Sequence, residues 1–143
     1  MDLSAPVSRL MSTDLKCLTP DDPVSEVDRI FQEHRIHHIP IINSEKAVVG
    51  VISKSDFLYL LRGFTEDKTD RFRKEAMLRA FKVTEIMTKN PVTMTADEPI
   101  KKAVSLLAEN RFRAIPVVDE EGIIAGIVTT HDIIDMVNEW EEE

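Results

Sequence analysis

Apolar positions recur at spacings of three and four residues in two stretches of the chain, and this spacing predicts two amphipathic helices. Each helix follows an acidic residue and a proline, Pro23 in the first copy and Pro99 in the second. Proline lacks an amide hydrogen and is tolerated in a first helical turn, so we expect both prolines there. The apolar positions are Val24, Val27, Ile30 and Phe31 in the first copy and Ile100, Ala103, Leu106 and Leu107 in the second.

Runs that favour β-structure surround each predicted helix. A short run precedes the helix, and a run containing a proline follows it and therefore cannot continue it. A more apolar strand comes next, which we expect to be buried on both faces, and an apolar helix closes each copy. The order is thus β-α-β-β-α, written twice. The predicted strands are 15–19, 38–42 and 47–52 in the first copy and 92–95, 114–118 and 123–128 in the second.

The two copies are one repeat. A shift of 76 residues aligns 7–61 with 83–137 without a gap, pairing Gly50 with Gly126 and Asp56 with Asp132. A repeat of this length indicates one structural unit written twice. We assign one motif to 1–62, a linker to 63–82 and a second motif to 83–143.

The linker region differs in charge from the rest of the chain. Residues 62–82 carry seven basic and four acidic side chains, a balance of +3, which leaves −11 for the remainder. Helical spacing predicts a linker helix that packs through Phe72, Ala76 and Ala80 and exposes its charges. A mobile lid or a partner contact is the alternative.

Composition narrows the function classes. The net charge of −8 over 143 residues disfavours nucleic acid as a partner. The single cysteine, Cys17, excludes an internal disulfide framework and suits a reducing compartment. Because no apolar run could span a bilayer, we expect a soluble cytoplasmic protein without membrane insertion. With four glycines, no phosphate-binding loop and no nucleophile elbow, we expect no enzyme activity.

A short motif ends the third strand of each copy: "GVISKSD" at 50–56 and "GIVTTHD" at 126–132. Ser53 and Thr129 can start the following helix as its N-cap, with Asp56 and Asp132 at the third helical position. The same residues can bind a nucleotide, because a hydroxyl can donate to phosphate and a carboxylate can accept from both ribose hydroxyls. Spacing alone leaves both interpretations open.

This ordered set of motifs, occurring twice, resembles the cystathionine-β-synthase (CBS) domain pair, or Bateman module. The resemblance covers nearly the whole chain outside the linker and the acidic terminus. It implies an α+β fold of two tandem β-α-β-β-α CBS motifs packed about a pseudo-two-fold axis. It also implies two clefts that bind an adenosyl ligand, AMP, ADP or ATP before S-adenosylmethionine, and that regulate another protein. An unliganded dimerisation or docking module is the alternative.

The resemblance also implies roles for individual residues. Asp56 and Asp132 would hold ribose hydroxyls, and Ser53 and Thr129 would meet phosphate. The adenine pockets would be lined by Cys17, Ile39 and Pro40 in the first copy and by Val92, Thr93, Ala114, Ile115 and Pro116 in the second. Phosphate ligands would come from His37, His38 and Lys54 in the first copy and from Arg113 and His131 in the second. Because these sets differ, we expect unequal sites.

Two further expectations concern a metal and a partner. His34, His37 and His38 have a spacing that can suggest a metal site. We expect none, because the helix must end before Pro40 and adjacent strand residues face opposite sides. The resemblance implies a homodimer formed through the exposed apolar faces of the closing helices, including Trp140. The regulated protein is unknown.

Overall fold

The structure is a computed structural model that describes residues 1–141; residues 142 and 143, the end of the second predicted motif, lie outside the described residues. Two short 3-10 turns, Val7–Arg9 and Val83–Glu85, occupy equivalent places in the repeat. No helix within 1–141 is long and apolar enough to cross a membrane. The helices are α1 (Val24–Glu33), α2 (Lys54–Leu60), α3 (Lys68–Ala80), α4 (Ile100–Ala108) and α5 (Thr130–Glu139), and the strands are β1 (His38–Ile42), β2 (Val48–Ser53), β3 (Thr88–Lys89), β4 (Met94–Thr95), β5 (Ala114–Val118) and β6 (Ile124–Thr129).

The chain divides into two compact units that exchange their leading segments. One, the N-motif unit, comprises Lys16–Glu45 and Val49–Asn90. The other, the C-motif unit, comprises Met1–Leu15, Lys46–Val48 and the described residues from Pro91 onward. Each repeat therefore leaves its 3-10 turn in the unit of the other repeat. The repeat pattern does not predict this exchange, because it describes similarity between copies and not which copy a segment contacts.

The C-motif unit contains the sheet β4-β5-β6. β4 runs parallel to β5, with Met94 beside Val117, and β5 runs antiparallel to β6, with Ala114 beside Thr129. The segment after the first 3-10 turn joins the outer edge through the bridge between Ser12 and Ile127.

The N-motif unit contains the sheet β1-β2-β3. β3 runs antiparallel to β2, with Gly50 beside Lys89. The predicted strand at 15–19 is wrong in extent, because only Leu18 forms a bridge, parallel to Ile41. In the C-motif unit, β4 occupies 94–95 of the predicted 92–95.

The two repeated glycines allow a close approach between segments. An ideal Cβ built on Gly50 would lie 2.5 Å from Met87 Sδ, and one built on Gly126 would lie 2.6 Å from Met11 Sδ. The methionine side chains could move away, but the added carbon would also lie 3.1 Å from Thr88 O at Gly50 and 2.9 Å from Ser12 O at Gly126. The backbone of the segment that follows each 3-10 turn therefore favours glycine at both positions.

Helices α1 and α4 begin one residue later than predicted. Pro23 and Pro99 are extended, with ψ near 150° (151° and 149°), and therefore stand at the N-cap and not in the first turn. The next amide is satisfied from outside the helix: Val24 N donates to Phe81 O and Ile100 N donates to Ala5 O, both at 2.9 Å. These acceptors are distant in sequence, so the local pattern does not predict them.

Burial follows the predicted core with three exceptions. The apolar positions of α1 are all buried, and three of the four predicted in α4 are buried, Leu106 being half-buried. The strand predicted to be buried on both faces alternates in β2, where only Gly50 and Ile52 are buried; β6 is continuously buried only over 126–128. In α3, Leu78 is the buried residue and Phe72 is exposed, so the predicted packing face was wrong.

Candidate functional site

The candidate site of the second motif lies at one edge of the β4-β5-β6 sheet. Because β5 and β6 are antiparallel, the start of β5 at Ala114 is paired with the end of β6 at Thr129. One residue beyond the pair, Thr130 N donates to Arg113 O at 3.0 Å. The proline-containing strand and the T-x-x-D motif are thus held together by the sheet register.

The residues before β4 approach the same edge. β4 is parallel to β5, with Met94 beside Val117. Val92 and Thr93 come just before Met94, so they lie towards the start of β5. Both are exposed, whereas Ala114 is buried. The register therefore brings the predicted residues of the second motif to one edge of the sheet.

Burial divides these residues into a floor and a rim. Ile115 and Pro116 are completely buried, as are Ile39 and Pro40 in the first motif. They belong to the cores of their units, so a ligand reaches them only if neighbouring groups move. Arg113 and His131 are exposed on the rim.

The T-x-x-D motif forms a reciprocal cap at the start of α5. Asp132 N donates to Thr129 Oγ1 at 3.2 Å. In return, Thr129 N donates to Asp132 Oδ2 at 2.8 Å, and the Thr129 hydroxyl donates to the same oxygen at 3.1 Å. This is a capping box, with aspartate in the place usually taken by glutamate. The two side chains predicted to bind ligand therefore bind each other through Thr129 Oγ1 and Asp132 Oδ2.

The first motif has the same backbone arrangement. Lys54 N donates to His37 O at 2.8 Å, which matches the bond from Thr130 to Arg113. Leu18 N donates to Pro40 O at 3.2 Å, so Cys17 is placed beside the proline-containing strand. Cys17 is half-buried, and burial raises the pKa of its thiol. Here too these backbone hydrogen bonds bring the predicted residues to one edge of the sheet.

The cap of the first motif is not reciprocal. Asp56 N donates to Ser53 Oγ at 3.1 Å, and Ser53 Oγ lies 3.4 Å from Ser55 Oγ. The Asp56 side chain is exposed, and its carboxylate accepts no hydrogen bond from the residues of 1–141. The pairing seen at Asp132 is therefore absent at its equivalent, and the sequence did not predict this difference.

The cationic groups also differ between the motifs. His37 is exposed, whereas His38 is half-buried as the first residue of β1 and Lys54 is half-buried as the first residue of α2. On α5, His131 Nε2 lies 3.3 Å from Asp135 Oδ2. No group of three or more His, Cys, Asp and Glu side chains within 1–141 is arranged to hold a metal ion.

An open groove adjoins Asp132 that the motifs did not predict. Its volume is about 550 Å³, and its lining includes Asp2, Asp135, Glu139 and Trp140 together with Asp132. The repeat gives no signal for this groove, because the segment 1–6 lies outside the aligned region. Between Ser53 and Gly63 the closing segment carries Lys54, Asp56 and Arg62, whereas its equivalent, 129–139, carries three carboxylates and a histidine.

Comparison with known proteins gives consistent matches. The model of the CBS domain family matches residues 7–63 and again 83–139. Among curated relatives, homoserine O-acetyltransferase of Methanohalobium evestigatum is 30% identical over 134 residues, which are 94% of this chain and 24% of that protein. The chain therefore spans about a quarter of that relative's length.

Solved structures share the fold over nearly the full chain. CBSX2 of Arabidopsis thaliana, solved in complex with AMP, is 25% identical with a TM-score of 0.79, covering 96% of this chain and 99% of that one. The CBS domain pair of protein MJ0100, solved with 5′-methylthioadenosine and S-adenosyl-L-methionine, is 26% identical with a TM-score of 0.73, covering 92% and 98%.

Proposed function

The chain belongs to the CBS domain family, as two tandem copies of the domain, and we propose that it is a non-catalytic regulatory module that binds an adenosyl ligand. The carrying observation is the edge geometry that occurs twice. In each motif a hydroxyl and an aspartate lie beside the start of the proline-containing strand, linked by the bonds from Lys54 to His37 and from Thr130 to Arg113. The complexes of two similar proteins with AMP or with S-adenosyl-L-methionine support this choice of ligand.

In the first motif the carboxylate that we propose to bind the ribose, that of Asp56, is already accessible. The Asp56 carboxylate is exposed and accepts no hydrogen bond from the residues of 1–141, so it can accept from two ribose hydroxyls without losing a bond. Lys54 and His37 supply cationic or hydrogen-bonding groups near the same edge, which favours a phosphorylated ligand. We assign AMP, ADP or ATP to this site, together with Ser53 and Cys17.

In the second motif the ligand competes with the capping box. Asp132 Oδ2 accepts from Thr129 N and Oγ1, so ribose binding there either uses the other oxygen or breaks these bonds. Asp135 and Glu139 on the same helix line the adjoining groove together with Asp2 and one basic side chain, Arg9, so the net negative charge of the side chains there opposes phosphate. We therefore propose that the first site fills before the second and that the second tolerates fewer phosphates.

Regulation requires that the ligand favour one arrangement of the protein over another. A ligand with equal affinity for two arrangements changes neither population. The completely buried Ile39–Pro40 and Ile115–Pro116 supply a candidate for such a difference, since contact with an adenine requires a movement at these strands. We propose that this opening transmits occupancy to another protein.

The proposal excludes catalysis by this chain. The acetyltransferase relative is four times as long as the matched region, so its activity does not transfer with the similarity. The Cys17 thiol is a weak nucleophile at neutral pH because burial raises its pKa. Asp56 and Asp132 belong to separate compact units and serve two similar sites.

A second candidate function is dimerisation. The equivalent residues Leu58 and Ile134 are 54% and 58% exposed, Val137 on the same helix as Ile134 is about half exposed, and so is Trp140, which directly follows that helix. Burial of such apolar faces is a common driving force for homodimers. We propose a homodimer through these faces. This homodimer is compatible with ligand binding. Dimerisation alone is the function that we propose for the chain if no ligand binds.

Isothermal titration with AMP, ADP, ATP and S-adenosylmethionine tests the proposal. We expect at least one ligand to bind at about micromolar strength, and Asp56→Ala to weaken the tightest event by about tenfold, near 1.4 kcal/mol. Glu45→Ala, an exposed carboxylate in the turn after β1, is the matched control and should change nothing. If none of the four ligands binds to a folded chain, the motifs are caps only and the dimerisation function stands alone.

A further inference from the structure

One face of α3 is exposed and has no evident role in folding. This 13-residue helix buries only Leu78 within its unit, and Phe72 is 70% exposed, the highest value among the large exposed hydrophobic residues described. Lys68 precedes Phe72 by four residues and Ala76 follows it by four, so all three lie on one side of the helix. We call Lys68, Phe72, Glu75, Ala76 and Arg79 the Phe72 face, and Arg73 borders it.

The charge of this face is unusual for the chain. Residues 62–82 have a balance of +3, while the remainder has −11. Among residues 1–141, neither Lys68 nor Arg79 forms an ion pair. Arg73 interacts electrostatically with Asp70, and Asp70 in turn accepts hydrogen bonds from Thr65. A single exposed apolar residue is ordinary, but Phe72 stands on a helix whose charged side chains are mostly cations, five against the carboxylates Asp70 and Glu75.

We propose that the Phe72 face docks an acidic amphipathic helix of another protein. An apolar side chain of the partner covers Phe72, and its carboxylates meet Lys68, Arg73 and Arg79. Charge complementarity selects this occupant, because an acidic segment is repelled by the net negative charge of the remainder of the chain and attracted by the net positive charge of 62–82. The same remainder repels nucleic acid, whose phosphates extend beyond so small a basic face.

The test uses a defined probe and the full chain. The probe is a fluorescein-labelled peptide of about 14 residues, long enough for a marginal helix, with leucines at helical spacing and glutamate elsewhere. Fluorescence anisotropy is measured at salt concentrations of about 0.05 M and about 0.3 M. We expect saturable binding that weakens with salt. Phe72→Ser should weaken it about fivefold, and Arg73→Glu with Arg79→Glu about tenfold or more.

Controls separate this surface from general stickiness and from unfolding. Tyr59→Ser removes another exposed aromatic residue, on α2, and should leave peptide binding unchanged. Phe72→Ser and Tyr59→Ser should keep the melting temperature of the original chain, because both side chains are exposed. The double charge reversal should lower the melting temperature only slightly, since the attraction of Arg73 to Asp70 and of Arg79 to the C-terminal end of α3 is lost at an exposed surface. The proposal is overturned if binding does not saturate, if Tyr59→Ser weakens it equally, or if a peptide with serine for leucine binds as well. It is also overturned if single-stranded DNA binds more tightly than the peptide, because the occupant is then nucleic acid. The same holds if Phe72→Ser abolishes self-association of the chain in sedimentation, because the occupant is then a second copy of the chain.

Discussion

Replacing Asp132 or Asp56 with alanine removes a carboxylate from equivalent positions, the third residue of α5 and of α2. Both substitutions lose the interaction of a negative charge with the positive end of a helix, about 0.3–1 kcal/mol. Only Asp132→Ala also removes an acceptor from Thr129 N, at 2.8 Å, and from Thr129 Oγ1, at 3.1 Å. The two costs should therefore differ.

The difference can be estimated from the bonds lost. A typical intramolecular hydrogen bond contributes about 0.5–1.5 kcal/mol, and a donor left without a partner loses more if it is buried. Thr129 is half-buried, so water replaces the lost acceptor only in part. We expect Asp132→Ala to lower the free energy of unfolding by about 1–2 kcal/mol more than Asp56→Ala does.

Urea unfolding followed by circular dichroism measures this difference. Asp132→Asn keeps an acceptor and should recover part of the loss, whereas Asp135→Ala, on the same helix, should cost little because its carboxylate contacts only the exposed His131 among the ion pairs described. Equal costs for Asp132→Ala and Asp56→Ala, or a larger cost at Asp56, would refute the inference that only one cap is reciprocal.

Three other predictions follow from single contacts. Gly126→Ala should destabilise the chain by about 1–3 kcal/mol in urea unfolding. Its Cβ would lie 2.6 Å from Met11 Sδ and 2.9 Å from a backbone oxygen, so Gly126→Ala with Met11→Ala should recover only part of the loss. Alkylation of Cys17 by iodoacetamide should be slower than that of a free thiol at neutral pH and should rise at higher pH, because burial raises the thiol pKa; unchanged kinetics would contradict this. A hydrogen bond from Lys102 and one from the Thr95 amide lower the pKa of Glu98, so its contribution to stability is present above the ordinary glutamate pKa and is lost as pH falls through the lowered value. The stability gap between the chain and Glu98→Gln should therefore narrow in acid, and a constant gap would contradict the assignment.

Local patterns in the sequence predicted much of the fold. Apolar periodicity predicted α1 and α4, and Pro40 and Pro116 marked two strands, because these signals depend on neighbours within a few residues. The 76-residue repeat predicted that both motifs would place the same residue types together, and β5 and β6 do so through the register of Ala114 with Thr129.

The features that the sequence did not predict depend on distant contacts. Phe72 was expected to be packed, yet α3 rests on its unit through Leu78, and both faces of that helix contain apolar residues. The exchange of leading segments, with Met11 against Gly126 and Met87 against Gly50, joins residues that are far apart along the chain. The reciprocal cap at Asp132 depends on side-chain rotamers, and the S/T-x-x-D pattern is the same in both motifs.

The central claim is that an adenosyl ligand binds at the edge where the S/T-x-x-D motif meets the proline-containing strand. A titration of isotope-labelled protein with AMP, followed by amide chemical shifts, tests it most directly. The account predicts that the amides of Lys54 to Asp56 and of Cys17 shift first, that those of Thr130 to Asp132 follow at higher concentration, and that the amide of Phe72 on α3 does not move. Saturable shifts confined to other surfaces, or no shifts with any of AMP, ADP, ATP and S-adenosylmethionine, would contradict it.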